Sequence, residues 1–205
     1  MKTLAALLLL GLLPACAAPR PAPPPAAPPA AAVQPVPAAL LQEDPFDAHY
    51  KVHCDNVSGT TVCVMTGNAL RPFTPRYPML ALGAVSEVDK GGRQSFLLRA
   101  VYVGEGKPLA IGGGPSLRLS LDGQPVEFSG QGSLGSRYAG ADGKAYEVAL
   151  YEVTREVLAR IAAAGAVSVS VRGDFPLEKS FGPVNKLYFQ QFVKFYVDKP
   201  PAVGR

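Results

Sequence analysis

Cys54 and Cys63 are the side chains whose type and spacing most directly imply chemistry. They enclose Asp55-Asn56-Val57-Ser58-Gly59-Thr60-Thr61-Val62, with a Ser-Gly dipeptide at the centre. A two-residue hairpin turn at Ser58-Gly59 pairs Val57 with Thr60 and, counting outward, Cys54 with Cys63. That pair falls in a non-hydrogen-bonded position, where Cα atoms lie about 4.5 Å apart, inside the window a disulfide needs. The rival is a thiol or metal site, because His49 and His53 are close in the chain. Four residues apart on a strand, those histidines stand roughly 13 Å apart and cannot share an ion. The redox spacing C-x-x-C is also absent. The expectation is a structural disulfide across a hairpin, with no metal and no cofactor.

The other candidates for chemistry are weaker. Gly104-Glu105-Gly106-Lys107-Pro108 through Gly112-Gly113-Gly114 resembles a phosphate loop only in composition. No glycine stands five residues before Gly106, and Pro108 replaces the hydroxyl that would meet Mg²⁺, so it reads as an inter-strand loop. Ser116 and Ser133 lack the G-x-S-x-G frame of a nucleophile elbow. The 16 acidic residues are scattered, which leaves a carboxylate-based hydrolase as one alternative whose pairing the sequence does not reveal.

The N-terminus carries an address. Lys2 precedes ten apolar residues, Leu4–Leu13, and small residues follow, which is the order of an export signal. Ten residues are too few to span a bilayer as a helix, which takes about 20. Leu13-Pro14-Ala15-Cys16 resembles the lipobox of bacterial lipoproteins. The resemblance implies removal of residues 1–15 and lipidation of Cys16, which becomes the first residue of the mature chain. Several acyl chains on one cysteine hold a protein firmly at a membrane. Ala17 rather than Asp follows Cys16, and enteric-type sorting then implies the outer membrane, with the domain facing the periplasm. The other reading is a secretory signal cut after Ala15 or Ala18, which makes Cys16 incidental. An oxidising compartment also suits Cys54 and Cys63, the even pair left once Cys16 is lipidated.

Residues 16–40 read as a tether. Ala17–Leu40 holds nine prolines, ten alanines and a single charge, Arg20. Proline fixes φ and donates no hydrogen bond, so the stretch favours extended polyproline II or a disordered spacer. Residues 41–205 are then one β-rich domain, large enough for a hydrophobic core. Lys2 and Arg20 fall outside it, leaving 18 basic against 16 acidic residues with the signs mixed. No basic run points to nucleic acid.

The elements that must position any site are mostly strands. Ser116–Leu121 alternates, with leucines at 117, 119 and 121 on one face, and Asp122-Gly123 is a strong type I′ hairpin signal. Pairing Leu121 with Gln124 sets Leu119 against Val126 and Leu117 against Phe128. Pro125 then sits opposite Ser120 without losing a bond to it, which makes Gln124–Phe128 an edge strand. Phe96–Val103 suits a central strand, and Tyr146–Val153 and Val167–Val171 are further strands. Thr154 caps a helix over Arg155–Ala164 that Gly165 ends. Asn185 could cap another over Lys186–Val197, although Phe192–Val197 also reads as a strand. The fold class is mainly β (α+β): an antiparallel β-sandwich or bent sheet with one or two C-terminal helices packed on it.

Function follows from placement. An envelope-protein partner would meet the open edge through Gln124, Val126 and Phe128, or the polar, glycine-rich segment Ser129–Lys144 through Arg137 and Tyr138. The aromatic tail Tyr188, Phe189, Phe192, Phe195 and Tyr196 offers either core packing or a stacking platform for a glycan such as peptidoglycan. A non-enzymatic, partner-binding lipoprotein leads. A small-molecule or glycan module is the alternative, ahead of the hydrolase.

Overall fold

The local rules that make hairpins set most of this architecture. The computed structural model describes residues 51–70 and 78–199. The signal segment, Cys16, the proline-rich tether and His49 lie outside the described residues. β1 (Lys51–Val57) turns through Ser58-Gly59 into β2 (Thr60–Thr66), with Val57 opposite Thr60 and Cys54 opposite Cys63. The turn needs two left-handed residues, and Ser58 and Gly59 take φ of 54° and 85°. Asn56 Oδ1 accepts the Gly59 N–H at 2.9 Å and closes the turn. The cysteines form the disulfide, with Cα atoms 4.1 Å apart.

A ten-residue covalent loop contributes roughly 2–3 kcal/mol on the chain-entropy account. Replacing Cys54 and Cys63 together with serine should therefore lower stability by about that amount in urea denaturation. An unchanged midpoint would mean that pairing of β1 with β2 needs no cross-link.

β3 (Met79–Val88) pairs with β2 and, along its whole length, with β4 (Gln94–Glu105). β5 (Gly114–Leu121) and β6 (Gln124–Gly130) form the second tight hairpin, turned at Asp122 and Gly123 with φ of 51° and 84°. Its register is Leu121↔Gln124, Ser120↔Pro125, Leu119↔Val126 and Leu117↔Phe128. Asp122 does a second job: its carboxylate accepts the N–H groups of Ala166 at 2.7 Å and Gly165 at 3.1 Å. Those two bonds hold its carboxyl below the ordinary carboxylate range.

β7 (Arg137–Ala139) is a short strand, and β8 (Lys144–Val153) lies between it and β4. β9 (Val167–Arg172) and β10 (Pro176–Ser180) complete the set. All pairings are antiparallel, in the order β1-β2-β3-β4-β8-β6-β5-β9-β10, with β7 beside β8. One joint in that order is thin. β6 meets β8 through the single pair Gly130↔Tyr151, so β1–β4 with β8 form one half and β6-β5-β9-β10 the other. The sheet does not close into a barrel.

Both halves and the helices share one core. Leu80, Leu82, Leu98 and Tyr151 from the first half are buried in the same cluster as Leu117, Leu119, Val169 and Val171 from the second. Tyr151 hydrogen-bonds Ser116 across the joint at 3.0 Å, and burial pushes its phenol pKa up. α1 (Arg155–Ala163) is capped by Thr154, whose hydroxyl accepts the Val157 N–H, and it buries Leu158, Ile161 and Ala162.

α2 (Pro183–Phe192) continues as a π-helical turn over Val193–Val197. Helix therefore takes the ambiguous C-terminal stretch. Its start differs from the expected one: Gly182 is the cap, Pro183 opens the first turn, and Asn185 lies inside the helix. Asn185 Oδ1 accepts the Gly182 N–H at 2.7 Å, while its amide donates to Asn68 Oδ1 at 2.6 Å and Ala69 O at 2.9 Å. Asn185 thus caps the helix from inside its first turn, through the Gly182 N–H, and its amide also meets buried long-range partners. Proline at the first helical position costs no hydrogen bond, which is why the helix begins earlier.

Candidate functional site

The segment between β6 and β8 is more structured than its composition implies. The polar, glycine-rich composition of Ser129–Lys144 suits an exposed loop, yet Ser133 and Ser136 are buried. A 3-10 turn over Leu134–Ser136 leads into β7, which pairs Arg137 with Glu147 and Tyr138 with Tyr146. Ser136 donates its hydroxyl to Val148 O, and Ser133 N–H donates to Ile111 O at 3.0 Å. One hydroxyl and one backbone N–H thus tie this glycine-rich segment to β8 and to the loop after β4.

Glu147 is the centre of the arrangement and is fully buried. Its Oε1 accepts the Ala110 N–H at 2.8 Å; its Oε2 accepts the Ile111 N–H at 3.1 Å and the Ser133 hydroxyl. Arg137 Nε stands 3.5 Å from Oε2, and Arg137 Nη2 donates to Ser133 Oγ at 3.2 Å. A buried charge survives only when paired and hydrogen-bonded, and this carboxylate is both. The Ala110 backbone explains the need for it: at φ 56° the chain reverses locally and its N–H joins no strand. Next to it, Leu109 O accepts the Asp174 N–H at 2.7 Å. Gly173 makes that approach possible, since a Cβ there would lie 2.0 Å from Leu109 O.

Glu147 therefore staples the loop after β4 to the loop after β6. Burial and the Glu147 charge together raise the pKa of the neighbouring Tyr102, whose hydroxyl donates to Lys107 O at 3.0 Å. The sequence reading missed Glu147. The available signal was parity: Ala145, Glu147, Ala149 and Tyr151 alternate on one side of β8, and a carboxylate on a core-facing row must have partners.

The outer surface of the same region carries Tyr138 stacked on Tyr146, ring centroids 4.9 Å apart and nearly parallel. Tyr138 is 40% exposed. The rings border a depression of about 290 Å³ lined by Gly106, Pro108, Arg137, Tyr138, Gly143 and Lys144, among others. Partial burial raises both phenols, and for Tyr146 a hydrogen bond to Asp142 at 3.1 Å adds to the shift. A larger depression, about 510 Å³, lies where the β3–β4 turn meets the end of β8, among Glu87, Arg93, Glu152 and Arg155.

The proposed partner-binding residues fall in two places. Gln124 is exposed beside its turn, Val126 packs against the core and Phe128 is buried in it. The β6 surface on offer is consequently its backbone rather than its apolar side chains. Arg137 is committed to Glu147, and Tyr138 to its stack. β6 pairs with β8 at Tyr151, and β7 pairs with β8 at Ala145–Glu147, so the two groups meet successive stretches of the same side of β8.

No described strand pairs with Gln124–Ser129 on the side away from β5. Of the aromatic tail, Phe189 and Phe192 are core residues, Tyr188 and Tyr196 pack against the core, and Phe195 is half-exposed. Among the described residues, no three His, Cys, Asp or Glu side chains are placed to hold a metal ion. No family model matches the chain, nor does any curated protein sequence or solved structure.

Proposed function

We propose that the chain is a non-enzymatic lipoprotein of the bacterial outer membrane, anchored through Cys16 with its β-rich domain in the periplasm, and that this domain binds an envelope protein partner. The observation that carries the binding half of this reading is the unpaired flank of β6. Ladder alternation aims the backbone groups of Pro125, Glu127 and Ser129 away from β5, and no described strand receives them. A flank of that kind accepts an extended segment from another protein by strand addition. The rigid hairpin register and the Glu147 staple preorganise it, which lowers the ordering cost of binding. Glu147 itself is consumed by four contacts that tie loops together, a structural use of the one fully buried carboxylate among the described residues.

A second reading, a glycan or small-molecule module, rests on the stacked tyrosines above the 290 Å³ depression. It predicts saturable ligand binding that Tyr138→Ala removes.

The test is a photo-crosslinking residue at Gln124 or Glu127 in the full-length, membrane-inserted chain. Both positions should capture the same one or two envelope proteins, and the same probe at Lys179 on β10 should not. Cys16→Ala should move the chain to the soluble fraction and reduce that capture. Equal capture from all three positions would overturn the β6 assignment, and membrane retention of the Cys16→Ala chain would overturn the anchor.

A further inference from the structure

The open backbone flanks of β1, β6 and β10 are not equivalent. β6 carries Pro125, and β10 opens on Pro176 and spans five residues. Proline and short length are common ways to keep an edge from pairing with strangers. β1 has neither defence. It is seven residues long, contains no proline, lies at the end of the strand order and is exposed at every position except the partly buried Val52. The disulfide fastens it to β2 in the middle, so this edge cannot fray as terminal strands do.

The outward-facing groups follow from the register. Val57 and Thr60 flank the two-residue turn as a hydrogen-bonded pair, so the backbone groups of Asn56, Cys54 and Val52 alternate outward. Its charges also have a pattern. Lys51 and Asp55 lie four apart on one face of the strand, with His53 midway.

We infer that β1 docks against β1 of a second copy of this chain, antiparallel and centred on His53, joining two sheets across a two-fold axis. In that register Val52 of one protomer faces the partner's Cys54 in a hydrogen-bonded pair, and the reverse pair repeats it, which makes four backbone hydrogen bonds. Lys51 then lies in a close, non-hydrogen-bonded pair with the partner's Asp55, twice by symmetry. A shift of two residues in either direction along the partner gives up this match. One direction sets Lys51 against the partner's Val57. The other sets Lys51 against the partner's His53 and carries Asp55 past Lys51, the first residue of the partner's strand. The strand is thus self-complementary in one register, as an isologous interface requires. The contact spans only Lys51–Asp55 of each strand, about 17 Å at ordinary strand rise, and is correspondingly weak in dilute solution. Copies tethered to one membrane meet at a much higher effective concentration, and there the contact becomes populated.

This inference is independent of partner binding at β6, and a purified protein tests it. Full-length chains labelled at the C-terminus with donor or acceptor are reconstituted together in phosphatidylethanolamine–phosphatidylglycerol vesicles, with energy transfer compared against a lipid-density control. Wild-type chains should transfer above that control. Lys51→Asp and Asp55→Lys should each weaken association about fivefold or more, because each puts two like-charge pairs at the interface. The double variant carrying both exchanges should return to within about twofold of wild type. Thermal melts of the three variants check that the exposed substitutions leave the fold intact. Val52→Pro, which deletes an outward N–H without altering charge, should also lower transfer. Transfer no higher than the control would overturn the inference, and so would single and double variants that behave alike. Crosslinking from β6 is unaffected by either result.

Discussion

Glu147→Ala is expected to cost about 3–5 kcal/mol, the range seen when one partner of a buried ion pair is removed. The loss has three parts. The N–H groups of Ala110 and Ile111 stay buried without an acceptor, the Ser133 hydroxyl loses its partner, and the Arg137 guanidinium is left beside a cavity. For a domain of this size, each kcal/mol moves the melting temperature by roughly 2–4 °C, so a drop of about 10 °C should appear in a thermal melt. Glu147→Gln should fall between, because an amide oxygen can serve one N–H while its NH₂ opposes the other donors. An alanine variant that melts within two degrees of wild type would mean the two loops hold their shape without the staple. The same comparison probes function. If the β6 flank depends on the stapled segment, the glutamine variant should lose partner capture before it loses fold.

Phe189→Ala and Phe192→Ala should each destabilise by about 3–5 kcal/mol, the range for truncating a buried aromatic ring. Both rings are fully buried. Phe189 packs on Phe181 with centroids 5.3 Å apart, and Phe192 on Tyr196 at the same distance. Phe195→Ala should change stability by no more than about 0.5 kcal/mol, since that ring is 51% exposed with Lys194 over its face. Urea denaturation of the three single variants separates the cases. Equal losses at all three would mean the π-helical turn buries Phe195 in solution.

The parts of this fold that could be read in advance are those set by neighbouring residues. Ser58-Gly59 and Asp122-Gly123 can each adopt the two left-handed conformations of a tight hairpin turn, and a two-residue turn leaves one register. Both hairpins consequently match residue by residue, disulfide included. α1 was legible from its cap and its apolar stripe. The start of α2 was not, because Asn185 finds its partner at Asn68, across 117 residues. Strand order was hidden for the same reason. Nothing near Lys144–Val153 says that this strand inserts beside β4 rather than against its sequence neighbour β6. Glu147 lay between the two cases: its parity was visible, but its partners come from segments as far as 37 residues upstream.

The thin joint at Gly130↔Tyr151 has a consequence for how the chain is made. The halves it joins are interleaved in sequence, since β8 belongs to the first while β5, β6, β9 and β10 belong to the second. As the chain emerges from its N-terminus, β4 appears with β3 on one side and nothing on the other. The strand that covers it, Lys144–Val153, arrives only after the whole β5–β6 hairpin. Through that interval, one of the most apolar stretches of the domain presents a bare ladder of donors and acceptors. Strand order thus leaves the β4 ladder open until β8 is present, and an open, apolar ladder is where misassembly starts.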